Sequence, residues 1–344
     1  MSDFKPSDHP KVHRKKTGVL LIALGTPLEL TKKSLRSYLS EFLGDPRVVE
    51  FPNRFLWKLI LNGPLLTLRV PKSLKAYAKI WDYDLDESPL RTITREQGEK
   101  LAQDFQERYG DTVRVDWAFR YGSPSIEAKL EEMRKAGVER LVCFALYPQY
   151  SASTTASSYD EVFRVLGTMR WQPAIRTVPA YFEEPVFIKA LADSVKQSLS
   201  TLDFEPDHIV ASYHSIPKEY WDKGDPYPCH CFKTSRLLSK EMAWQDDFLL
   251  TSFQSRVGPK EWVGPETEAL TIKLAQQGVK KLVVLTPAFS ADCLETLEEI
   301  NMELREIFLE QGGEKFHMIP CLNASEAGMK MISTLVQKEA QGWI

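Results

Sequence analysis

No run of about 18 apolar residues occurs in the 344-residue chain, so no segment has the length and character of a membrane-spanning helix. Cysteine is scarce. Five of them, an odd number, do not make a secreted disulfide framework and fit a reducing cytoplasm. An excess of positive charge is missing too: 44 Lys and Arg against 47 Asp and Glu leave a net charge of −3, which excludes the basic footprint of a nucleic-acid partner. Phosphate loops are also absent. The turn LGTP at 24–27 is too poor in glycine for a GxGxxG or Walker spacing, which argues against a nucleotide enzyme. The opening MSDFKPSDHPKVHRKKTG is polar and basic with no apolar stretch behind it, so 1–17 reads as a flexible arm rather than a signal peptide.

The composition that remains is that of a globular α/β protein, with length enough for two domains. Short apolar, β-rich runs fall at 18–24, 113–119, 140–146, 174–179, 208–213, 247–253, 281–287 and 316–320. Amphipathic segments at 92–109, 124–136, 185–200, 266–277 and 294–310 alternate with them. Fully apolar strands alternating with helices predict parallel sheets covered on both faces. An internal repeat chooses between one barrel and two open sheets. GVERLVCFALYPQYSA (137–152) resembles GVKKLVVLTPAFSA (278–291), each a Gly-Val, a strand, then Pro, an aromatic and Ser-Ala. The expectation is two similar Rossmann-like halves, 18–180 and 181–322, with open parallel sheets facing a central cleft, and a final helix within 323–344 packing back on the body. The segment FPNRFLWKLILNGPLLTLRVP (51–71) is too short and interrupted to span a bilayer. It reads either as a core-packed helix pair or as the exposed apolar lip of a pocket that touches a membrane surface.

Open α/β sheets bind ligands beyond the carboxyl ends of their strands, and unusual chemistry collects there: FRYGSP (119–124), YPQYSASTTASS (147–158), SYHSIP (212–217), TSFQSRVGP (251–259) and TPAFSADCLETLEEI (286–300). At 100° per residue, Asp292, Glu295, Glu299, Glu303 and Glu306 form one narrow helical stripe. Such a stripe is equally what a solvated face looks like. His214 ends an apolar strand. Alone it is as well read as a hydrogen-bonded structural residue. With a carboxylate beside it, it suits a divalent first-row metal, ferrous iron included, held briefly and passed on. The two groups are expected to converge from different halves on a crevice for a flat ligand. Cys229-His230-Cys231 is a weak metal pattern without a second pair.

The stretches YLSEFLGDPRVVE, FRYGSPSI, LYPQYSASTT, SYHSIP, KGDPYP, FQSRVGPKEW and FSADCLETLEEI together resemble ferrochelatase, over roughly 18–322. The resemblance implies insertion of Fe(II) into protoporphyrin IX, forming protohaem, with both as substrates and no permanently bound cofactor. It implies His214 and Glu295 as catalytic and metal-contacting residues, with Asp292, Glu299 and Glu303 as a path for metal or protons. Leu24, Arg69, Tyr77, Ser88, Arg120 and Tyr121 would contact the porphyrin. Some relatives hold an iron–sulfur cluster; here Ala152 replaces one of its cysteines and no cysteine follows Cys321, so no cluster is expected. A coproporphyrin or cobalt chelatase and a non-catalytic porphyrin or haem carrier are the alternatives. A cytoplasmic chain, peripheral to the inner membrane, as monomer or homodimer, completes the expectation.

Overall fold

The computed structural model of the chain describes residues 16–256, 258 and 260–344. The arm expected at 1–17 therefore lies outside the described residues except for Lys16 and Thr17, which belong to the first strand. Eight strands are found where the apolar runs predict them: β1 (Lys16–Gly25), β2 (Val113–Tyr121), β3 (Val138–Ala145), β4 (Ala174–Thr177), β5 (His208–His214), β6 (Leu249–Gln254), β7 (Lys281–Leu285) and β8 (Lys315–Met318). They form two four-stranded parallel sheets, ordered β2-β1-β3-β4 and β6-β5-β7-β8. The second order is the first advanced by four strands, so the two sheets share one topology, and the sequence repeat falls on the equivalent strands β3 and β7.

The helices are α1 (Lys32–Gly44), α2 (Arg54–Ile60), α3 (Leu66–Ile80), α4 (Pro89–Tyr109), α5 (Ile126–Lys135), α6 (Ser157–Thr168), α7 (Pro185–Ser200), α8 (Lys218–Asp222), α9 (Tyr227–Glu241), α10 (Thr267–Gln276), α11 (Arg305–Glu310) and α12 (Glu326–Glu339). Local chemistry sets several of their starts. Thr31, Ser125 and Ser325 cap α1, α5 and α12 by accepting the backbone N–H of Ser34, Ala128 and Gly328. The glycine that opens each repeat copy has a positive φ, +82° at Gly137 and +95° at Gly278, and ends the helix ahead of its strand. Each copy then leads into a wide π-helical segment, Ala152–Ala156 in the first and Glu295–Leu304 in the second.

Each sheet buries both faces, which is why its strands read as continuous apolar runs. Leu20 and Ile22 pack outward under α5 and α6, and Val210 and Val284 pack outward under α10 and the second π-helical segment. The inner faces share a single core. Leu21, Phe119 and Phe144 of the first sheet join Ile209, Tyr213 and Phe253 of the second, with α4, α7 and α12 supplying Phe105, Phe187 and Ile332. The final helix thus packs back on the body, against α7 and α4. Its end is clamped: Arg176 donates to the carbonyls of Glu339 (2.7 Å) and Gln341 (2.9 Å), and its guanidinium lies 4.0 Å from the Trp343 ring centre.

A fourth cluster builds the lip. Leu35, Tyr38 and Leu39 of α1 pack on Leu66, Val70 and Tyr77 of α3. Helices α2 and α3 are joined through a π-helical turn kinked at Gly63, beside Pro64. Phe55, Leu56, Leu59 and Leu68 remain exposed, at 74%, 45%, 57% and 77%. Leu61, Leu66 and Val70 of the same segment are buried, so one face is packed and the other open, and α3 runs on past residue 71 to Ile80.

Arg176→Ala should lower unfolding free energy by about 1–3 kcal/mol, the sum expected for two hydrogen bonds and one ring contact. Urea unfolding followed by tryptophan fluorescence measures it; an unchanged midpoint would mean the clamp carries no stability.

Candidate functional site

The strands β1 and β5 are the switch points of their sheets, where neighbouring connections depart to opposite sides. Leu24 and Gly25 end one, and His214 ends the other. Gly25 is required there: φ is +117°, and a Cβ would stand 1.9 Å from the Tyr121 carbonyl oxygen. His214 is half-buried. Its Nδ1 lies 2.6 Å from the carbonyl oxygen of Ser215. A carbonyl only accepts, so the ring proton of the neutral form sits on Nδ1 and the Nε2 lone pair is left for other work.

Two residues at the end of β6, next to His214 in the sheet, hold the acidic segment. Gln254 pairs with His214 across the β5–β6 register. It is buried, accepts from Ser212 Oγ at 2.7 Å, and donates from Nε2 to the main-chain oxygen of Glu295 at 2.9 Å. Ser255, in the left-handed region at φ +66°, donates its N–H (2.7 Å) and its hydroxyl (2.6 Å) to the two oxygens of Glu299. Burial pushes the Glu299 carboxyl above the usual range; Ser255 and the nearby His214 pull it down, and the Glu295 charge pushes it up. His214, Glu295 and Glu299 therefore share one electrostatic neighbourhood. Opposite them stand Tyr38 and Tyr77, whose hydroxyls are driven up by burial and by the Glu295 charge. Leu24 and Leu294 pack against the same lip cluster.

Several expectations need correction. His214 and Glu295 do not come from different halves: β5 and β7 are paired neighbours in the second sheet, and the lip tyrosines are what the first half contributes. The narrow acidic stripe assumed α-helical spacing, but Glu295–Leu304 is π-helical, which redistributes the side chains. Glu299 turns to Ser255, while Glu298 and Glu303, five residues apart, both meet Lys79 of the lip, at 2.6 and 3.9 Å. Burial and the charge of Glu298 raise the Glu303 carboxyl. Asp292 is 6% exposed, and its carboxylate accepts from Thr296, Asn323 and Cys321.

Of the residues expected on the porphyrin, Leu24, Tyr77 and Arg69 line the lip side; Arg69 is half-buried and has no ion-pair partner among the described residues. Ser88 is 1% exposed and caps α4, accepting the Arg91 N–H. Arg120 and Tyr121 turn instead to the buried Asp45. Its Oδ2 accepts from Arg120 Nη2 (2.6 Å), Tyr121 OH (2.8 Å) and Ser157 Oγ (2.6 Å), and its Oδ1 from the Arg47 N–H (2.7 Å). Near Cys229, His230 accepts the Tyr150 N–H on Nδ1 and stacks on Phe182, and Cys231 is buried. Among the described residues, no three His, Cys, Asp or Glu side chains form a ready metal cage. The two small apolar hollows, beside α5 and α7, lie away from His214 and Glu295.

Sequence reading missed Tyr38, Asp45, Gln254 and Ser255. All four lie inside stretches already singled out, YLSEFLGD and TSFQSRVGP, but nothing in one dimension says which neighbour each one holds.

Desolvation works against the Asp45 charge, yet the bonds from Ser157, Arg47 and Tyr121 and the Arg120 charge win, and its pKa lies below the usual aspartate value. Asp45→Asn should therefore cost about 3 kcal/mol at neutral pH. A lowered folded-state pKa gives stability that is complete above about pH 4 and lost as pH falls through the folded value. Urea midpoints of the two proteins should converge below that pH; a gap that stays constant down to the folded pKa and beyond would refute the assignment.

The ferrochelatase family pattern matches residues 16–340. A ferrochelatase of Allorhizobium ampelinum is 52% identical over 98% of both chains, and one of Rhizobium meliloti is 51% identical over 98% of this chain and 99% of its own. Among solved structures, SirB from Bacillus subtilis with Fe3+ superposes with a TM-score of 0.56 at 12% identity, covering 95% of this chain and 97% of its own. The sirohydrochlorin chelatase SirB of Bacillus subtilis subspecies spizizenii, in complex with cobalt, gives 0.54 at 12% identity, covering 95% and 96%; at that distance the likeness concerns the fold. With paired parallel sheets of this order and near-complete matches at about half identity, the chain belongs to the ferrochelatase family.

Proposed function

We propose that this chain inserts ferrous iron into protoporphyrin IX between the lip and the carboxyl ends of β5, β6 and β7. The observation that carries the reading is an imidazole whose Nδ1 faces a backbone carbonyl, with the Glu299 carboxylate and the Glu295 main chain both held from the neighbouring strand end. Metallation exchanges two pyrrole N–H protons for one divalent ion. Nε2 of His214 takes one of these protons as the base. Glu295 and Glu299 lower the energy of the approaching cation, and the raised Glu299 carboxyl is suited to take the second proton. Two or three oxygen and nitrogen groups without a closed cage hold a borderline metal weakly enough to release it.

In this reading half-buried Leu24 meets the macrocycle, the buried Tyr38 and Tyr77 meet it once the lip parts, and Arg69 serves a propionate. Seating the ring parts the lip from the acidic segment and breaks Lys79–Glu298. That pair is half in solvent on the lysine side, so its loss costs about 1 kcal/mol or less. Where the family resemblance places a cluster-binding cysteine stands Ala152, whose N–H is held by Asp225 at 2.8 Å, and we read the chain as working without a cluster.

The lip is also the membrane contact in this reading. Residues 51–81 hold Arg54, Lys58, Arg69, Lys72, Lys75 and Lys79 and no acidic residue, beside the exposed Phe55, Leu59 and Leu68. Cations next to apolar side chains suit the headgroup region of an anionic bilayer, on the cytoplasmic side of the membrane. No helix among the described residues is long and apolar enough to cross it.

His214→Ala should reduce the rate of metalloporphyrin formation from Fe(II) or Zn(II) without oxygen by about 100-fold or more, while porphyrin affinity stays within about threefold. Normal turnover by that variant would end the site assignment, and porphyrin binding without metallation by the unaltered protein would make it a carrier. Phe55→Asp with Leu68→Asp should weaken co-sedimentation with phosphatidylglycerol vesicles at least about tenfold. Equal binding of the variant and the parent would free the lip from this role.

A further inference from the structure

Asn323 sits in the loop between β8 and α12, with no place in the machinery described so far. Its φ is +49°, a left-handed conformation that asparagine and aspartate tolerate better than most residues. Side chain and backbone both reach the loop that precedes Glu295. Asn323 Oδ1 accepts the Asp292 N–H at 2.8 Å, and Nδ2 donates to Asp292 Oδ2 at 2.6 Å. The Asn323 N–H donates to the Ser290 carbonyl at 3.0 Å.

Asp292 passes this hold on. Its Oδ1 accepts from the Thr296 hydroxyl (3.0 Å) and from the Cys321 N–H (3.3 Å). Thr296 Oγ1 accepts the Cys293 N–H at 3.0 Å, which pins the turn immediately before and after Glu295. The first half of the chain holds the same knot. Gln97 of α4, fully buried, donates to the carbonyls of Ser290 (3.2 Å) and Asn323 (3.0 Å), and Ser290 Oγ donates to the carbonyl of Leu146 (2.8 Å) just after β3.

We infer that Asn323 is a positioning residue for metal insertion: it locks Asp292, and Asp292 serves as the anchor of the turn that seats Glu295 rather than as a carrier of metal or protons. The inference rests on the proposed role of Glu295. Both Asp292 oxygens are engaged by protein donors, and the residue is 6% exposed, so no face of the carboxylate is open to an ion in transit. Glu299 by contrast shares its surroundings with His214. A seat displaced by about 1 Å is enough to lose about two orders of magnitude in rate.

The amide and the carboxylate can be exchanged. In Asp292→Asn combined with Asn323→Asp, every donor again meets an acceptor: the amide of 292 donates to the carboxylate of 323, which still accepts the N–H of 292. Only the negative charge moves. Either single substitution breaks the match, with two carboxylates or two amides face to face. Each single variant should lose about tenfold or more in kcat for anaerobic Zn(II) or Fe(II) insertion, with porphyrin affinity, read by fluorescence quenching, unchanged. The exchanged pair should regain kcat to within about threefold of the parent protein. Wild-type kcat in a single variant overturns the inference. So does an exchanged pair as slow as Asp292→Asn that still binds porphyrin and melts like the parent, because the charge at 292 is then needed for itself. Should the exchanged pair not fold, Asn323→Gly decides: it keeps the left-handed backbone and leaves Asp292 charged. A fall in kcat of about tenfold at unchanged porphyrin affinity supports the inference, and wild-type kcat refutes it. Failure of the underlying reading shows elsewhere, as retained turnover in Glu295→Gln.

Discussion

Gln254 reaches from the end of β6 to the main-chain oxygen of Glu295, and the rest of the site depends on that bond. The same side chain is tied to Ser212 of β5, two residues before His214. The strand that ends in His214, the Gln254 amide and the main chain at Glu295 are thereby held as one unit. Buried polar groups carry such a load because leaving any one unpaired costs about 1–3 kcal/mol. The geometry of the candidate site and the stability of the strand ends are consequently coupled.

The two sheets repeat one topology and put it to different uses. At the switch point of the first stand Leu24 and a glycine pressed against the Tyr121 carbonyl, which make an apolar wall. At the switch point of the second stands His214 with a free ring nitrogen. One half thus presents apolar side chains and the other an imidazole and carboxylates, the division of labour on which the proposed metal insertion rests. The π-helical widening belongs to the second use. It sends Glu299 toward Ser255 and His214 while Glu298 and Glu303 face Lys79, so one acidic helix serves both the interior and the lip.

Two kinds of charge pairing coexist here, and their magnitudes differ. Asp45 is almost fully buried with donors from Arg120, Tyr121 and Ser157, so removing its charge is costly and the pair it makes is structural. Lys79–Glu298 is open to solvent on the lysine side and cheap to break. The expensive network lies at the base of the lip, behind the tyrosine wall, and the cheap one at its rim. Such an arrangement lets the rim move while the base stays in place.

Much of this was legible in one dimension. All eight strands follow from apolar runs with β-rich composition, because a parallel strand buried on both faces has no other way to be written. The repeat around 137–152 and 278–291 announces two sheets of like order, since the left-handed glycine, the strand and the turn recur as a unit. His214 and Glu295 stand out because strand ends are where such folds bind ligands. The sequence did not reveal the spacing of the acidic helix, because one extra residue per turn is a matter of packing and not of composition. Nor did it disclose that Arg120 and Tyr121 serve Asp45, that Ser88 is a cap, or that Asp292 answers to Asn323. Some of those partners stand as many as 76 positions apart, and only the folded chain decides which donor meets which acceptor.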